Sequence, residues 1–272
     1  MEATADNIWQ VPAYLPYLQP ALTDAAVAAA EEQIGYKLPP EYLDLLRVQN
    51  GGYIRYSLPE MVHDTIAGIG PHFPSLTDFD WEEVQEYVGY PLSGLVPFDG
   101  DGHWHLCLDY RHDEACPRIT YADIECDGQS EIAASFAEYL TQLRIDGHNQ
   151  WVLESITDIA AVEALLAARL FVDFDVPDKD AHGYPVHRAG LGSGGKPEWL
   201  WMSPNRAPRG FVRENHNRFD ELRDLLPGDA LRYPELGEDS YVVQITAGAR
   251  KRVLDACTSA ALTLRPFDDY FG

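Results

Sequence analysis

The sequence predicts an α+β fold in two domains, and three observations support this prediction. The chain has 272 residues, a length that favours two modest domains at about 150 residues each. Hydrophobic residues make up 46% of it and aromatic residues 11%, which supplies a packed core and excludes a disordered chain. In the first half, helical patterns precede and follow strand patterns, an order typical of a mostly antiparallel sheet flanked by helices.

The charge distribution and a polar connector place the domain boundary near residue 148. Residues 1–148 carry six basic and 25 acidic side chains, whereas residues 149–272 carry 14 and 19. The segment 145–150 follows a strong helical pattern and precedes a new apolar run that begins at Trp151. We therefore expect an N-terminal domain at 1–148 and a second, smaller α+β domain at 149–272.

The overall charge limits the classes of partner. A formal net charge of −24 argues against nucleic acid, because phosphates attract surfaces rich in Lys and Arg, and it favours a partner with a basic surface. Residues 1–6 are polar and acidic, and no run of 18 apolar residues occurs, so we expect neither a signal peptide nor a membrane span. Four cysteines without a CxxC pair favour a reducing compartment and a cytoplasmic protein.

Capping residues and apolar spacing predict three helices in the first half. Thr23 is a good N-cap for a helix that ends near Gly35. Pro40 opens a second helix, for which Gly51 supplies a left-handed stop. Ser130 is expected to cap a third helix. Strands are expected at residues 53–56, 103–110 and 118–121.

Part of this pattern resembles a known family. The runs Leu38-Pro39-Pro40-Glu41-Tyr42, Leu45-Leu46 and Asn50-Gly51-Gly52 are similar to the LP..Y...L...NGG signature of the SUKH superfamily, which includes the Smi/Knr regulators of glucan synthesis. The resemblance covers about residues 20–145 and implies a fold rather than an active site. It implies that bacterial members are largely immunity proteins that bind and block a toxin, whereas fungal members are regulatory scaffolds.

The second half carries its own predicted elements. Thr157 and Thr246 are each expected to cap a helix. Strands are expected at residues 171–176, 198–202, 241–245 and 262–267. The strand–helix–strand ending is weakly similar to the C-terminal halves of other toxin-immunity proteins. An unrelated small α+β domain is the alternative.

The most acidic segment is 77–88, and its spacing predicts an amphipathic helix. At 100° per residue, Trp81, Val84 and Val88 share one apolar arc. The carboxylates opposite this arc or at its start are Asp78, Asp80, Glu82, Glu83 and Glu86. This acidic face could steer a cationic toxin and mimic its phosphate-bearing substrate. The alternative is a solvated helix face with an ordinary aspartate cap.

A second acidic group surrounds the strand expected at 103–110. Its members are Asp99, Asp101, Asp109, Asp113 and Glu114. Their spacing does not fit the 12-residue calcium loop of an EF-hand, so we interpret residues 99–102 as a turn. Asp99, Asp101, Asp113 and Glu114 join the first group as candidates for partner contact, and a solvated hairpin rim is the alternative.

Other motifs point to no cofactor, metal or catalytic group. His103, His105 and Cys107 stand at alternate positions of the predicted strand, so their side chains share one face. However, three side chains spread over about 13 Å of strand reach one zinc ion poorly. The run 190–196 resembles GxGxxG and P-loop motifs, yet Pro197 stands where a P-loop needs Ser or Thr. The sequence also contains no GxSxG or HExxH signature, so we do not expect an enzyme.

Basic and aromatic residues of the second half admit two interpretations each. A local basic stretch contains Arg206, Arg209, Arg213 and Arg218. These arginines are expected to pair with the acidic first half or with an acidic patch of the partner. Trp199 and Trp201 share one strand face, where they either pack in a core or form an aromatic hot spot.

Together these observations predict an antitoxin or immunity protein that binds a cognate bacterial toxin and occludes its active site. Association should weaken at high salt, mainly through the on-rate, because an acidic surface supplies speed and orientation. The first alternative is a regulatory scaffold of the Smi/Knr type. The second, with less support from the sequence, is an enzyme that reverses a toxin's modification.

Overall fold

The computed structural model describes residues 2–177, 182–192 and 196–271. Contacts within the chain divide it into two compact units, Met1–Ile145 and Asp146–Gly272. Each unit has its own sheet, helices and hydrophobic core. Among the described residues, no helix combines the length and the apolar character that crossing a bilayer needs.

The helices of the first unit form where capping residues start and stop them. In the described part of this unit the α-helices are α1 (Asp24–Ile34), α2 (Pro40–Val48) and α3 (Phe136–Gln142). The predicted caps of α1 are confirmed. The Thr23 hydroxyl accepts a hydrogen bond from the Ala26 N–H at 3.1 Å, and Gly35 ends the helix at φ +83°.

An antiparallel sheet forms the centre of the first unit. The strands are β1 (Ala13–Tyr14), β2 (Gly52–Tyr53), β3 (Thr65–Ile66), β4 (Leu95–Gly100), β5 (Trp104–Asp109), β6 (Arg118–Asp123) and β7 (Gly128–Ala133). Strands β4 to β7 pair in chain order, and β2 pairs separately with β3. The strands predicted at 103–110 and 118–121 are confirmed as β5 and β6. The strand predicted at 53–56 was too long, because β2 ends at Tyr53.

The third predicted helix begins later than expected. Ser130 lies in β7, opposite Tyr121 of β6, so the prediction that it caps a helix was wrong. The cap of α3 is Ser135, whose hydroxyl accepts a hydrogen bond from the Glu138 N–H at 3.1 Å. The local pattern around Ser130 fits either a helix start or a strand. Pairing with the backbone of β6 makes this segment a strand.

Asn50 and Gly51 join the end of α2 to the segment 66–70. The helix ends at Val48, and Gln49 is already extended, so Gly51 is not the helix stop that the sequence predicts. The Asn50 amide donates to the Pro20 and Ile69 carbonyls and accepts from the Ile69 N–H, at 2.6, 2.9 and 2.9 Å. Gly51, at φ +86°, lies against the backbone of Gly68.

Both faces of the four-stranded sheet are covered, because β5 alternates between two clusters. Leu106 and Leu108 point into the main core, which also contains Tyr42, Phe98, Phe136 and Tyr139. Cys107 points the other way, into a smaller cluster with Val88, Leu92 and Leu95. The alternation of β5 therefore holds as predicted, with apolar side chains on both sides.

The acidic segment 77–88 does not form the predicted amphipathic helix. It consists of turns and one short 3₁₀ helix, Gln85–Tyr87. Its apolar side chains serve two different clusters, since Phe79 packs on the main core while Trp81 and Val84 pack on the smaller one. A helix would place these apolar side chains on one face, from which they could not reach both clusters. Tertiary packing therefore overrides the helical spacing of the apolar residues.

In its described residues, the second unit contains a five-stranded antiparallel sheet with two helices packed on its core face. The described strands of the unit, which include three outside this sheet, are β8 (Gln150–Leu153), β9 (His187–Gly190), β10 (Trp199–Pro204), β11 (Arg206–Pro208), β12 (Gly210–Phe211), β13 (Asp229–Leu231), β14 (Tyr241–Ile245) and β15 (Leu264–Pro266). The described helices are α4 (Ile159–Leu170), α5 (Phe219–Leu222) and α6 (Arg250–Ser259). The sheet has the order β15-β8-β14-β10-β9, and α4 and α6 share its hydrophobic cluster.

Several predictions for the second unit need correction. Asp158, not Thr157, caps α4 by accepting from the Ala161 N–H at 3.1 Å. Phe171 is the left-handed end of α4 and does not begin a strand. Thr246 does not cap α6, because its hydroxyl accepts from the Trp199 N–H at 2.9 Å. The strand predicted at 241–245 is confirmed as β14, and those predicted at 198–202 and 262–267 as β10 and the shorter β15.

Replacing Gly51 by Ala should destabilise the first unit more than the same change at Gly35. The two glycines have nearly equal φ angles, +86° and +83°, so both variants carry the strain of a left-handed alanine, about 1 kcal/mol. A Cβ at Gly51 would lie 2.7 Å from the Gly68 nitrogen, whereas one at Gly35 would meet nothing within 4 Å.

We therefore expect the free energy of unfolding to fall by about 1 kcal/mol in G35A and by about 3 kcal/mol in G51A. Urea denaturation of both variants under identical conditions measures the difference. Equal losses of unfolding free energy in the two variants would show that the close approach of the Gly68 backbone does not destabilise G51A.

Candidate functional site

A cleft of about 460 Å³ lies in the first unit, beside the hairpin that joins β4 to β5. Its lining comes from separate parts of the chain, at residues 17, 53, 62, 64, 65, 67, 73–75, 78, 79, 97–101, 104 and 105. This volume falls within the usual range for ligand pockets, about 300–1,000 Å³. The cleft is therefore the candidate functional site.

The cleft is strongly anionic. The carboxylates that line it are those of Asp64, Asp78, Asp99 and Asp101, and among its described lining residues there is neither Lys nor Arg. Three of these four belong to the sequence-predicted contact set, and Asp64 was missed. A concave surface with charges of one sign focuses its field and attracts ligands of the opposite sign.

The other predicted contact residues lie outside the cleft. Asp80, Glu82, Glu83 and Glu86 are exposed on the turns of segment 77–88. Asp80 accepts a hydrogen bond from the Glu82 N–H at 2.8 Å, which is the role of a turn-forming aspartate.

The hairpin between β5 and β6 holds the remaining pair, Asp113 and Glu114, and both are exposed. Asp113 accepts from the Ala115 N–H at 2.8 Å. Asp109 of the same acidic group is buried, where Arg111 and the Thr120 hydroxyl bind its carboxylate. The structure thus brings together Asp78, Asp99 and Asp101 and leaves Asp113 and Glu114 on a separate rim.

A buried hydrogen-bonded chain holds Asp99 in place. The His63 Nδ1 lies 2.5 Å from the Asp99 Oδ2, and the His63 Nε2 is hydrogen-bonded to the Tyr139 hydroxyl. His63 and Tyr139 are buried, and the Asp99 side chain is only 8% exposed. Because both nitrogens of the imidazole are engaged, the ring fixes the carboxylate at the cleft from the core side.

Asp101 and His105, which also line the cleft, have shifted pKa values. Burial opposes ionisation of Asp101, but hydrogen bonds from the backbone N–H groups of His103 and Trp104 outweigh it and lower the pKa of the carboxyl. Burial lowers the pKa of His105, and the nearby charges of Asp101 and Asp99 oppose this shift only in part. Near neutral pH the cleft therefore holds an ionised Asp101 beside a neutral His105.

Aromatic rings form much of the remaining wall. Tyr17 has its ring centroid 5.0 Å from that of Tyr53 and 5.5 Å from that of Phe73. Trp104 contributes another ring and stacks on Tyr121 at 5.8 Å. Burial, a hydrogen bond with Tyr17 and the charge of Asp64 raise the pKa of Tyr53, so its hydroxyl stays neutral. These rings offer both apolar area and faces that attract cations.

The rim of the cleft exposes apolar surface. Val62 is 79% exposed and Phe73 is 63% exposed, although both line the cleft. Exposed apolar side chains around a pocket with polar groups mark interaction sites more often than isolated ones do. The rim is therefore suited to contact a partner.

Phe79 also lines a second cavity of about 340 Å³. Trp81 lies beside it, with 5.6 Å between the ring centroids, and the Trp81 indole N–H donates to the Leu95 carbonyl at 2.8 Å. Phe79 therefore contributes to the lining of both cavities.

The residues considered for zinc do not form a metal site. His105 packs edge-on against Trp81 with 5.1 Å between ring centroids, His103 is exposed, and burial raises the pKa of the Cys107 thiol. Within the described ranges, no group of three or more His, Cys, Asp or Glu side chains is arranged to hold a metal ion. Of the glycine-rich run at 190–196, residues 193–195 lie outside the described residues.

Two arginines of the basic stretch, Arg206 and Arg218, form ion pairs. Arg206 pairs with Asp229 at 3.4 Å and also with Glu238, and Arg218 pairs with Glu221 at 2.8 Å. The carboxylates in these pairs, Asp229, Glu238 and Glu221, belong to the second unit. Trp199 and Trp201 stack with 6.1 Å between centroids and are half-buried, and neither lines the cleft.

Comparison with known proteins identifies the first unit. Residues 21–142 match the model of the SMI1 / KNR4 family (SUKH-1), which confirms the resemblance to the SUKH superfamily. The first unit therefore contains a SUKH domain. No curated protein and no solved structure matches the chain.

The stability of the protein should depend on the titration of His105. A folded-state pKa below the ordinary value of about 6.5 means that the unfolded state binds the proton first. The free energy of unfolding should therefore fall as the pH drops from about 7 to about 5.

In His105→Gln, which cannot titrate, this loss should be smaller. Urea denaturation at several pH values measures both slopes. A variant slope equal to that of the wild type would contradict the assignment.

Proposed function

We propose that this protein is an immunity protein whose SUKH domain binds a toxin domain with a basic surface and occludes its active site. The family match supports a protein-binding role, and the anionic cleft with its apolar rim carries the proposal. On this proposal the two units are separate domains and the protein acts in the cytoplasm by binding, without turnover.

The charges of the first unit suit this role. The exposed carboxylates of segment 77–88 stand next to the cleft lining at Asp78 and Phe79. Charges at the edge of an interface mainly steer the encounter, while a desolvated apolar centre slows dissociation. The exposed carboxylates of segment 77–88, here called the acidic turns, would accelerate association. Contacts in the cleft and at its rim would slow dissociation.

Co-expression with the neighbouring toxin tests the proposal. The C-terminal domain of the protein encoded beside this chain is expressed in bacteria with and without the full-length protein, and surviving cells are counted. We expect rescue together with a stable stoichiometric complex in size-exclusion chromatography. Rescue without a complex would favour enzymatic reversal, and a neighbour that is harmless alone would favour a regulatory scaffold.

Neutralising the acidic turns should slow association with that toxin. In the triple variant E82Q/E83Q/E86Q we expect the association rate at low salt to fall about tenfold, with little change in the dissociation rate. Stopped-flow mixing at several salt concentrations measures both rates, and the wild-type advantage should shrink at high salt.

The matched control is D220N/E221Q/D224N, which removes the same number of charges from exposed positions of the second unit. We expect it to associate at nearly the wild-type rate. If both triple variants slow association equally, net charge rather than the acidic turns determines the rate.

A further inference from the structure

We propose that the cleft receives one arginine side chain of the partner and holds its guanidinium against the carboxylates and aromatic rings of the wall. This inference rests on the proposed protein-binding function and names the group that the cleft recognises. It follows from the charge of the cleft, the way Asp99 is fixed, and the rings that line it.

The charges define the sign of the ligand. The cleft holds Asp64, Asp78, Asp99 and Asp101, and the described lining contains no Lys or Arg to neutralise them. Asp101 is kept ionised by two backbone N–H donors. A cation that enters therefore meets carboxylates that no Lys or Arg of the described lining neutralises, whereas a phosphate or a carboxylate would be repelled.

Asp99 gives the cleft a fixed anchoring point. Its side chain is almost withdrawn from solvent, and His63 binds it from the core while Tyr139 holds the other nitrogen of the ring. A buried carboxylate with a fixed orientation binds a cation more strongly than a mobile surface carboxylate does. His63 and Tyr139 thus act as positioning residues for Asp99.

The rings favour arginine over lysine. Tyr17, Tyr53, Phe73 and Trp104 all line the cleft, and a planar guanidinium can stack on an aromatic face while its N–H groups bind carboxylates. An ammonium group is more strongly hydrated and makes no such stack. The methylene stem of an arginine would cover the exposed side chains of Val62 and Phe73.

A titration with a single-residue probe tests the inference on the full-length protein. N-acetyl-arginine N-methylamide is added while ¹H–¹⁵N NMR spectra follow the backbone amides and the Trp104 indole N–H. We expect saturable shifts confined to residues that line the cleft, with Kd in the millimolar range. The lysine analogue should bind several-fold more weakly, and the uncharged citrulline analogue should cause no saturable shift.

Substitutions then assign the binding to the cleft. The variant D64N/D101N changes two exposed positions and keeps the oxygen of residue 101 that accepts from the backbone, so it should fold and bind the arginine probe about tenfold more weakly. D99N should weaken binding further. The control D113N/E114Q removes the same charge from the separate hairpin rim and should bind like the wild type.

The outcomes are distinct. Equal binding of the arginine and citrulline probes, shifts outside the cleft, or equal losses in D64N/D101N and D113N/E114Q would each overturn the inference. If lysine binds as tightly as arginine, the cleft selects charge alone and the stacking argument is wrong. If the protein encoded beside this chain is harmless when expressed alone, the immunity proposal fails, but the arginine probe should still bind in the cleft. Failure of the immunity proposal and failure of the arginine inference can therefore be told apart.

Discussion

The first unit depends on how the segment 65–70 is held between α2 and the sheet. The Tyr42 hydroxyl donates to the Ala67 carbonyl at 2.5 Å, and the Ala67 N–H donates to the Phe98 carbonyl at 2.8 Å. Asn50 binds Ile69 of the same segment through two hydrogen bonds and the Pro20 carbonyl through a third. One short segment thereby ties a helix, a turn and a strand together, and Thr65 and Ala67 also line the cleft. The Asn-Gly-Gly signature is thus a structural constraint that indirectly positions the site.

Several acidic residues of this unit both stabilise turns and contribute negative charge. Asp80, Asp101 and Asp113 each accept hydrogen bonds from backbone N–H groups in turns, so each stabilises a local conformation as well as contributing charge. Their structural role therefore does not exclude a role in partner contact. A segment rich in carboxylates can keep a defined backbone because these side chains replace missing secondary-structure partners.

The sequence was most informative where local signals agree with packing. Thr23 and Gly35 cap α1 as their residue types predict. Strand β14 has the predicted bounds because four of its five residues are apolar and three of them are buried, namely Val242, Val243 and Ile245. Segment 77–88 failed as a helix because its apolar residues divide between two clusters, which no local period reveals. The cleft was only partly predictable from the sequence. Asp78, Asp99 and Asp101 stand out as acidic residues, whereas Asp64 was missed. Tertiary folding alone brings Tyr17, Tyr53 and Phe73 to the cleft.

Phe79 gives the site a simple route to new specificity. Since Phe79 lines both the cleft and the neighbouring cavity, its replacement by a smaller residue would add room to both spaces. Homologous domains could therefore admit larger or longer partner groups through a single codon change, while the hydrogen bonds around residues 65–70 keep the fold constant.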